Sequence, residues 1–224
     1  MGNWTFAQMK SRLKLAASNQ TALESPVNWY ADFVNQSYLM LCTSKTLFGT
    51  KFKLWFPELE TSSATTTVDG RAYVSVPSAC WIVRGIWNST DDQMLDWIPN
   101  ETYWDKTGRA TSTSEGTATK YTRRGTYIYL QPTPDDSTTS LTIYYKKRPD
   151  ELTSETDVTE IDKVWDRPIV ELAAIQMHYV VNEFEFAEKK KELFVQNLGG
   201  IAEAQYDEHK QLNGILSMSP LMRP

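Results

Sequence analysis

The sequence contains no apolar run approaching the ~20 residues that a bilayer-spanning helix needs, so no membrane segment is expected. Its first residues, MGNWTFAQMKSR, lack the apolar centre of a signal peptide. Phe6 stands where a myristoylated chain would carry serine or threonine, so no myristoylation is expected. A basic excess is missing too. The chain has 23 Lys and Arg against 28 Asp and Glu, a net charge of −5. A protein that grips nucleic acid tightly needs the opposite balance, because affinity comes from neutralising phosphates. Cysteine is scarce: Cys42 and Cys80 form no framework and read as buried thiols of a reducing compartment. Sequons at Asn3, Asn19, Asn35, Asn88 and Asn100 read as by-products of composition.

The signatures of catalysis are equally thin. No Gly-x-x-x-x-Gly-Lys loop and no Gly-x-Ser-x-Gly elbow occurs. Of the two histidines, His178 lies on an apolar stretch with Glu171 and Asn182 at helical spacing. Helical di-metal carboxylate centres use Glu-x-x-His, which neither histidine supplies, so His178 reads as a packed histidine donating to a backbone carbonyl. His209, among Asp207, Glu208 and Lys210, reads as solvated. The pairs Asp91-Asp92 and Asp135-Asp136 fall in turn sequences, where aspartate caps amides. No catalytic residue, metal site or cofactor is expected.

What the sequence does have is order. Composition is globular, with 41% hydrophobic residues, and large amphipathic rings are abundant: eight Trp and eleven Tyr. Thr5 and Gln8 form a capping box, followed at helical spacing by Phe6, Met9, Leu13 and Ala16. Asn19-Gln-Thr breaks that helix. Ser25-Pro26 opens a second, about 26–42, whose apolar face is Tyr30, Phe33, Val34, Ser37, Tyr38 and Leu41. From Phe52 to Lys147 the period becomes two, with FKLWF, RAYVSVP, WIVRGIW, TYIYLQP and LTIYYKK as strands and TSSATTTVDG, TGRATSTSEGTAT and TPDDSTTS as loops. Asp166-Arg-Pro168 restarts helix. Residues 169–181 are apolar nearly all round, as in a helix touched on several sides by its own bundle or by another subunit; Ile169, Leu172, Ile175, Tyr179 and Val180 are its contact residues. Gly199-Gly200 predicts a break before a last short helix, 201–213.

The basic clusters have plain readings. Lys120 with Arg123-Arg124, and Lys146-Lys147-Arg148, read as charged strand ends, and Lys189–Lys191 as paired with Glu183, Glu185 and Glu188 on one helix. The expected fold is α+β: a helical bundle built from both chain ends, an inserted antiparallel β-sheet or sandwich, and an extended C-terminal tail. Its parts are residues 1–50, 51–150, 151–213 and 214–224.

The order NWYADFVNQSYLML, YVSVP, WIVRGIW, YIYLQPTP, LTIYYKKRPDELT and PIVELAAIQMHYV resembles the head-to-tail adaptor (connector) proteins of tailed bacteriophages, over about residues 21–213. The resemblance implies a virion protein of the neck, assembled in the host cytoplasm. It implies a twelve-subunit ring below the portal that extends the DNA channel, lets double-stranded DNA pass without holding it, and meets tail or nozzle proteins. It also implies a C-terminal segment that docks on the portal. Here that role falls on GILSMSPLMRP, with Ile215, Leu216, Met218, Leu221 and Met222 as anchors. The alternative is a carbohydrate- or nucleic-acid-binding β module on a helical stalk, with Trp81, Trp87, Trp97 or Trp104 as stacking platforms.

Overall fold

A computed structural model describes residues 3–16, 29–43, 47–49, 54, 56–104, 110 and 114–218, with side chains to Ala204. The chain divides into two compact units. One joins Met1–Glu58 to Pro149–Pro224; the other is Leu59–Arg148.

The first unit is helical. Helix α1 (Phe6–Ala16) starts at the expected capping box: Thr5 Oγ1 accepts from the Gln8 amide at 3.3 Å, and Gln8 Oε1 accepts from the Thr5 amide at 3.0 Å. It buries Phe6, Met9 and Leu13. Helix α2 (Trp29–Thr43) buries Phe33, Val34, Ser37, Tyr38 and Leu41, the face read from the sequence. The Asn19 break and the Ser25-Pro26 start lie outside the described residues.

Helix α4 (Asp166–Val180) packs against α1, α2 and α5 (Phe184–Met218), which accounts for its apolar circumference within a single chain. Ile169, Leu172 and Ile175 are fully buried there; at its C-terminal end Tyr179 is half-buried and Val180 50% exposed. Trp165 fills the core beside Phe56, with centroids 5.0 Å apart. Two polar clasps tie distant segments. Asn35 exchanges two 2.9 Å hydrogen bonds with the backbone of Leu152. Buried Asp166 accepts from the Trp4 amide at 2.6 Å and from Thr159 Oγ1 at 3.1 Å.

The long C-terminal helix breaks at a different place from the one expected. α5 runs through Gly199-Gly200, and the interruption falls instead at Val181–Glu183. Asn182 takes a left-handed φ of 63°, which asparagine tolerates, and the amides of Asn182 and Glu183 return to the carbonyls of Tyr179 (3.2 Å) and His178 (2.8 Å). This paired closure satisfies the last carbonyls of α4. Two glycines cost about 1 kcal/mol each inside a helix, too little to stop one, whereas the Asn182 closure offers new hydrogen bonds.

The second unit holds β1 (Glu60–Thr66), β2 (Tyr73–Ser75), β3 (Cys80–Asn88), β4 (Gln93–Met94), β5 (Asp96–Trp97), the one-turn helix α3 (Asn100–Tyr103), β6 (Lys120–Arg124), β7 (Tyr127–Gln131) and β8 (Ser140–Lys147). One sheet has the order β1-β8-β3-β4 and is antiparallel; the other has β2-β7-β6-β5, antiparallel except between β5 and β6. Both sheets feed one core: Val74, Tyr121, Ile128 and Leu130 come from the second, Ile86, Leu141, Ile143 and Tyr145 from the first. Gly125, at φ 62°, turns the two-residue β6–β7 hairpin.

Three strand expectations change. ETSSATT, read as loop, is strand β1, and KYTRR, read as a strand end, is strand β6. Leu54 and Phe56 of FKLWF lie outside any strand, and the rest of that run is outside the described residues.

Candidate docking surfaces

The acidic and basic groups that invited a chemical reading are occupied locally. Asp91 accepts from Asn88 Nδ2 at 2.7 Å. Asp136 takes the amides of Thr138 and Thr139 and the hydroxyls of Thr67, Thr138 and Thr139, which holds its carboxyl below the ordinary range. Asp136 is a turn-capping aspartate as expected, whereas in the other turn it is Asn88 Oδ1 that takes the amides of Thr90 and Asp91. Glu171 pairs with Arg167, one turn earlier on α4. His178 is buried and packs on Phe186, as expected, but its Nδ1 meets the Glu183 carboxylate at 2.6 Å and not a backbone carbonyl. Lys191 pairs with Glu188, while Lys190 Nζ caps the end of α1 by donating to the Ala16 carbonyl at 2.6 Å. Among the described residues no cluster of His, Cys, Asp and Glu could hold a metal ion, and no helix is long and apolar enough to cross a membrane.

The remaining features are surfaces. Helix α5 has 35 residues, roughly 50 Å of helix, and its last buried residue with a described side-chain environment is Gly199. Ile215, Leu216 and Met218 therefore belong to its final helical turns, so the expected extended segment does not begin at Gly214. Leu221 and Met222 lie outside the described residues.

The four tryptophans do not form one platform. Trp81 and Trp87 are half-buried on β3 of the first sheet, while Trp97 on edge strand β5 is 62% exposed beside the second. Only Trp104 joins a larger aromatic surface, on the second sheet. Its ring lies 4.8 Å from Tyr103 and 4.9 Å from Tyr129; Tyr73 follows, 5.7 Å from Tyr129 and 4.8 Å from Tyr127. The β7 pleat produces this, since Ile128 and Leu130 turn to the core and Tyr127 and Tyr129 to the other face. Tyr103 anchors the group: buried, it donates to the Leu130 carbonyl at 3.1 Å, and burial raises its hydroxyl's pKa. Arg71 lies over Tyr73 at 4.5 Å and Arg124 over Trp104 at 5.3 Å. Sequence reasoning missed this cluster because its members come from three separate stretches, 71–73, 103–104 and 124–129; the alternation in YIYLQ was the one visible signal.

These surfaces offer contacts that a partner could cover. The chain belongs to the SU10 adaptor protein family, whose model matches residues 4–217 and so spans both units. This is a family of bacteriophage head–tail adaptors, which makes the chain a structural component of the virion neck. No curated protein matches it.

Proposed function

We propose that copies of this chain assemble into a ring, twelve subunits by resemblance, below the portal, extending the DNA channel and joining the head to tail or nozzle proteins. Assembly takes place in the host cytoplasm, and the protein acts without catalysis. The observation that carries the reading is the family match across residues 4–217, which includes α5 nearly to its end. The net charge of −5 supports a conduit in which double-stranded DNA slides, since each phosphate contact would add affinity and drag.

Portal docking falls to the end of α5 and the residues beyond it. Burying a leucine or methionine contributes about 1.5–3 kcal/mol, against an ordering cost of about 1–2 kcal/mol of backbone entropy per residue. Residues 214–218 are already helical, so Ile215, Leu216 and Met218 reach a partner with that cost met in advance. Leu221 and Met222 add the remaining anchors. Repetition around a ring turns a modest gain per subunit into a durable joint.

Electron microscopy of the protein mixed with the portal from the same genome tests both statements. Rings capping the portal only when residues 214–224 are present are expected. Capping that survives truncation removes the docking role and keeps the adaptor; no capping by the full chain overturns the ring reading.

A further inference from the structure

Charge is divided unevenly between the units. Leu59–Arg148 carries ten basic and ten acidic residues, so the whole net charge of −5 belongs to the helical unit. Within that unit the link 149–162 holds six carboxylates and no lysine or arginine. It shapes an open groove of about 470 Å³, lined by Asp150, Glu151, Asp157 and Glu160 together with Leu152 and Val158. Asp157 is held by the amides of Thr153 and Ser154. Asp150, Glu151 and Val158 are exposed.

The aromatic face of the second sheet is its chemical complement. Exposed Arg71 and Arg124 lie over the two ends of the ring cluster, and Tyr127 is 40% exposed between strands of the same face. Tyrosine, tryptophan and arginine are the residue types that carry most binding energy at protein interfaces.

We propose that this aromatic–arginine face docks on the acidic groove of a neighbouring copy. The inference rests on the ring reading above and supplies the contact that reading lacks. The two patches differ, so the contact is heterologous, and a heterologous contact repeated by rotation closes into a ring and does not stop at a pair. The guanidinium groups donate to Asp150 and Glu151, the tyrosine hydroxyls donate to the remaining carboxylates, and the rings cover Val158. Charge complementarity sets the register of one subunit on the next.

Charge exchange on the full chain tests it. Arg71→Glu with Arg124→Glu, and separately Asp150→Lys with Glu151→Lys, are expected to lower the assembled fraction by about tenfold at ~50 mM salt in sedimentation velocity. The fourfold variant, with charges exchanged, is expected to restore most of it. Circular dichroism confirms that each variant is folded. Assembly that ignores both charge sets, or is lost in all three variants, overturns the proposal. So does a fluorescent single-stranded oligonucleotide that binds wild type and not the arginine variant while assembly is unchanged, which assigns the face to nucleic acid. A wild type that caps the portal as a ring insensitive to both charge sets keeps the proposed function and removes this contact. A wild type that forms no ring, alone or on the portal, removes both.

Discussion

The two units reach stability by opposite routes. The β unit is a contiguous stretch, Leu59–Arg148, whose core follows from alternation along neighbouring strands. The helical unit is closed by contacts between residues far apart in the chain. Asn35 and Leu152 are separated by 117 positions, Trp4 and Asp166 by 162, and Lys190 and Ala16 by 174. A domain built this way bears its loop-closure cost across the insertion, and the insertion can fold before the bundle does. The functional division follows the same line: net charge and the long helix lie in one unit, the aromatic face in the other.

The largest effect should come from cutting the chain along that line. Residues 59–148 expressed alone are expected to keep a dispersed amide spectrum and a cooperative melt, while 149–224 alone do not. A disordered 59–148 fragment would end the comparison. Next in size is Trp165→Ala, expected to cost about 3–5 kcal/mol because it empties the largest fully buried side chain among the described residues. Leu141→Ala in the β core should cost about 2–5 kcal/mol. Urea unfolding followed by circular dichroism and by amide exchange should assign each loss to its own unit; equal loss in both would show one cooperative body.

Acid sharpens the comparison. Burial raises the Asp166 carboxyl above its ordinary 3.8, so its folded form favours the proton. Its contribution is complete below the unfolded value and is lost as pH rises through the raised one. Asp136 is lowered by its threonine partners, so its contribution is present above 3.8 and lost as pH falls through the lowered value. Relative to Asp166→Asn, wild type should lose helical-unit stability as pH rises above the ordinary 3.8 and through the raised value. Relative to Asp136→Asn, it should lose β-unit stability below about pH 4. Parallel slopes in both comparisons would contradict the assignment. The smallest effect is a gain. A Cβ added at Gly200 meets nothing within 4 Å, so Gly200→Ala should stabilise α5 by about 1 kcal/mol in thermal melts.

Much of this was legible in the residues. The capping box, the faces of α1 and α2 and the alternation of β7 and β8 follow from local chemistry, and the structure bears them out. Strand β1 was hidden because it buries none of its residues and so shows no alternating apolar pattern; its only signal is threonine content, while its pairing is supplied by β8, 74 to 86 positions later. The Asn182 break was hidden because asparagine in a left-handed turn leaves no gap in apolar periodicity, whereas Gly199-Gly200 looks like a break and is none. The aromatic face needed tertiary structure to gather it. The docking role proposed for the end of α5 needs a partner in another chain, which a single sequence does not encode.

Helix α5 has one more property. Held at its base by the Asn182 closure and by Ala187, Phe194 and Leu198, it is a rod of roughly 50 Å. Geometry then converts angle into distance: beyond Leu198 roughly 30 Å of helix remains, so a bend of about five degrees there displaces its end by about 2.6 Å. A small bend there therefore moves the Met218 end by ångströms without repacking the core around Trp165.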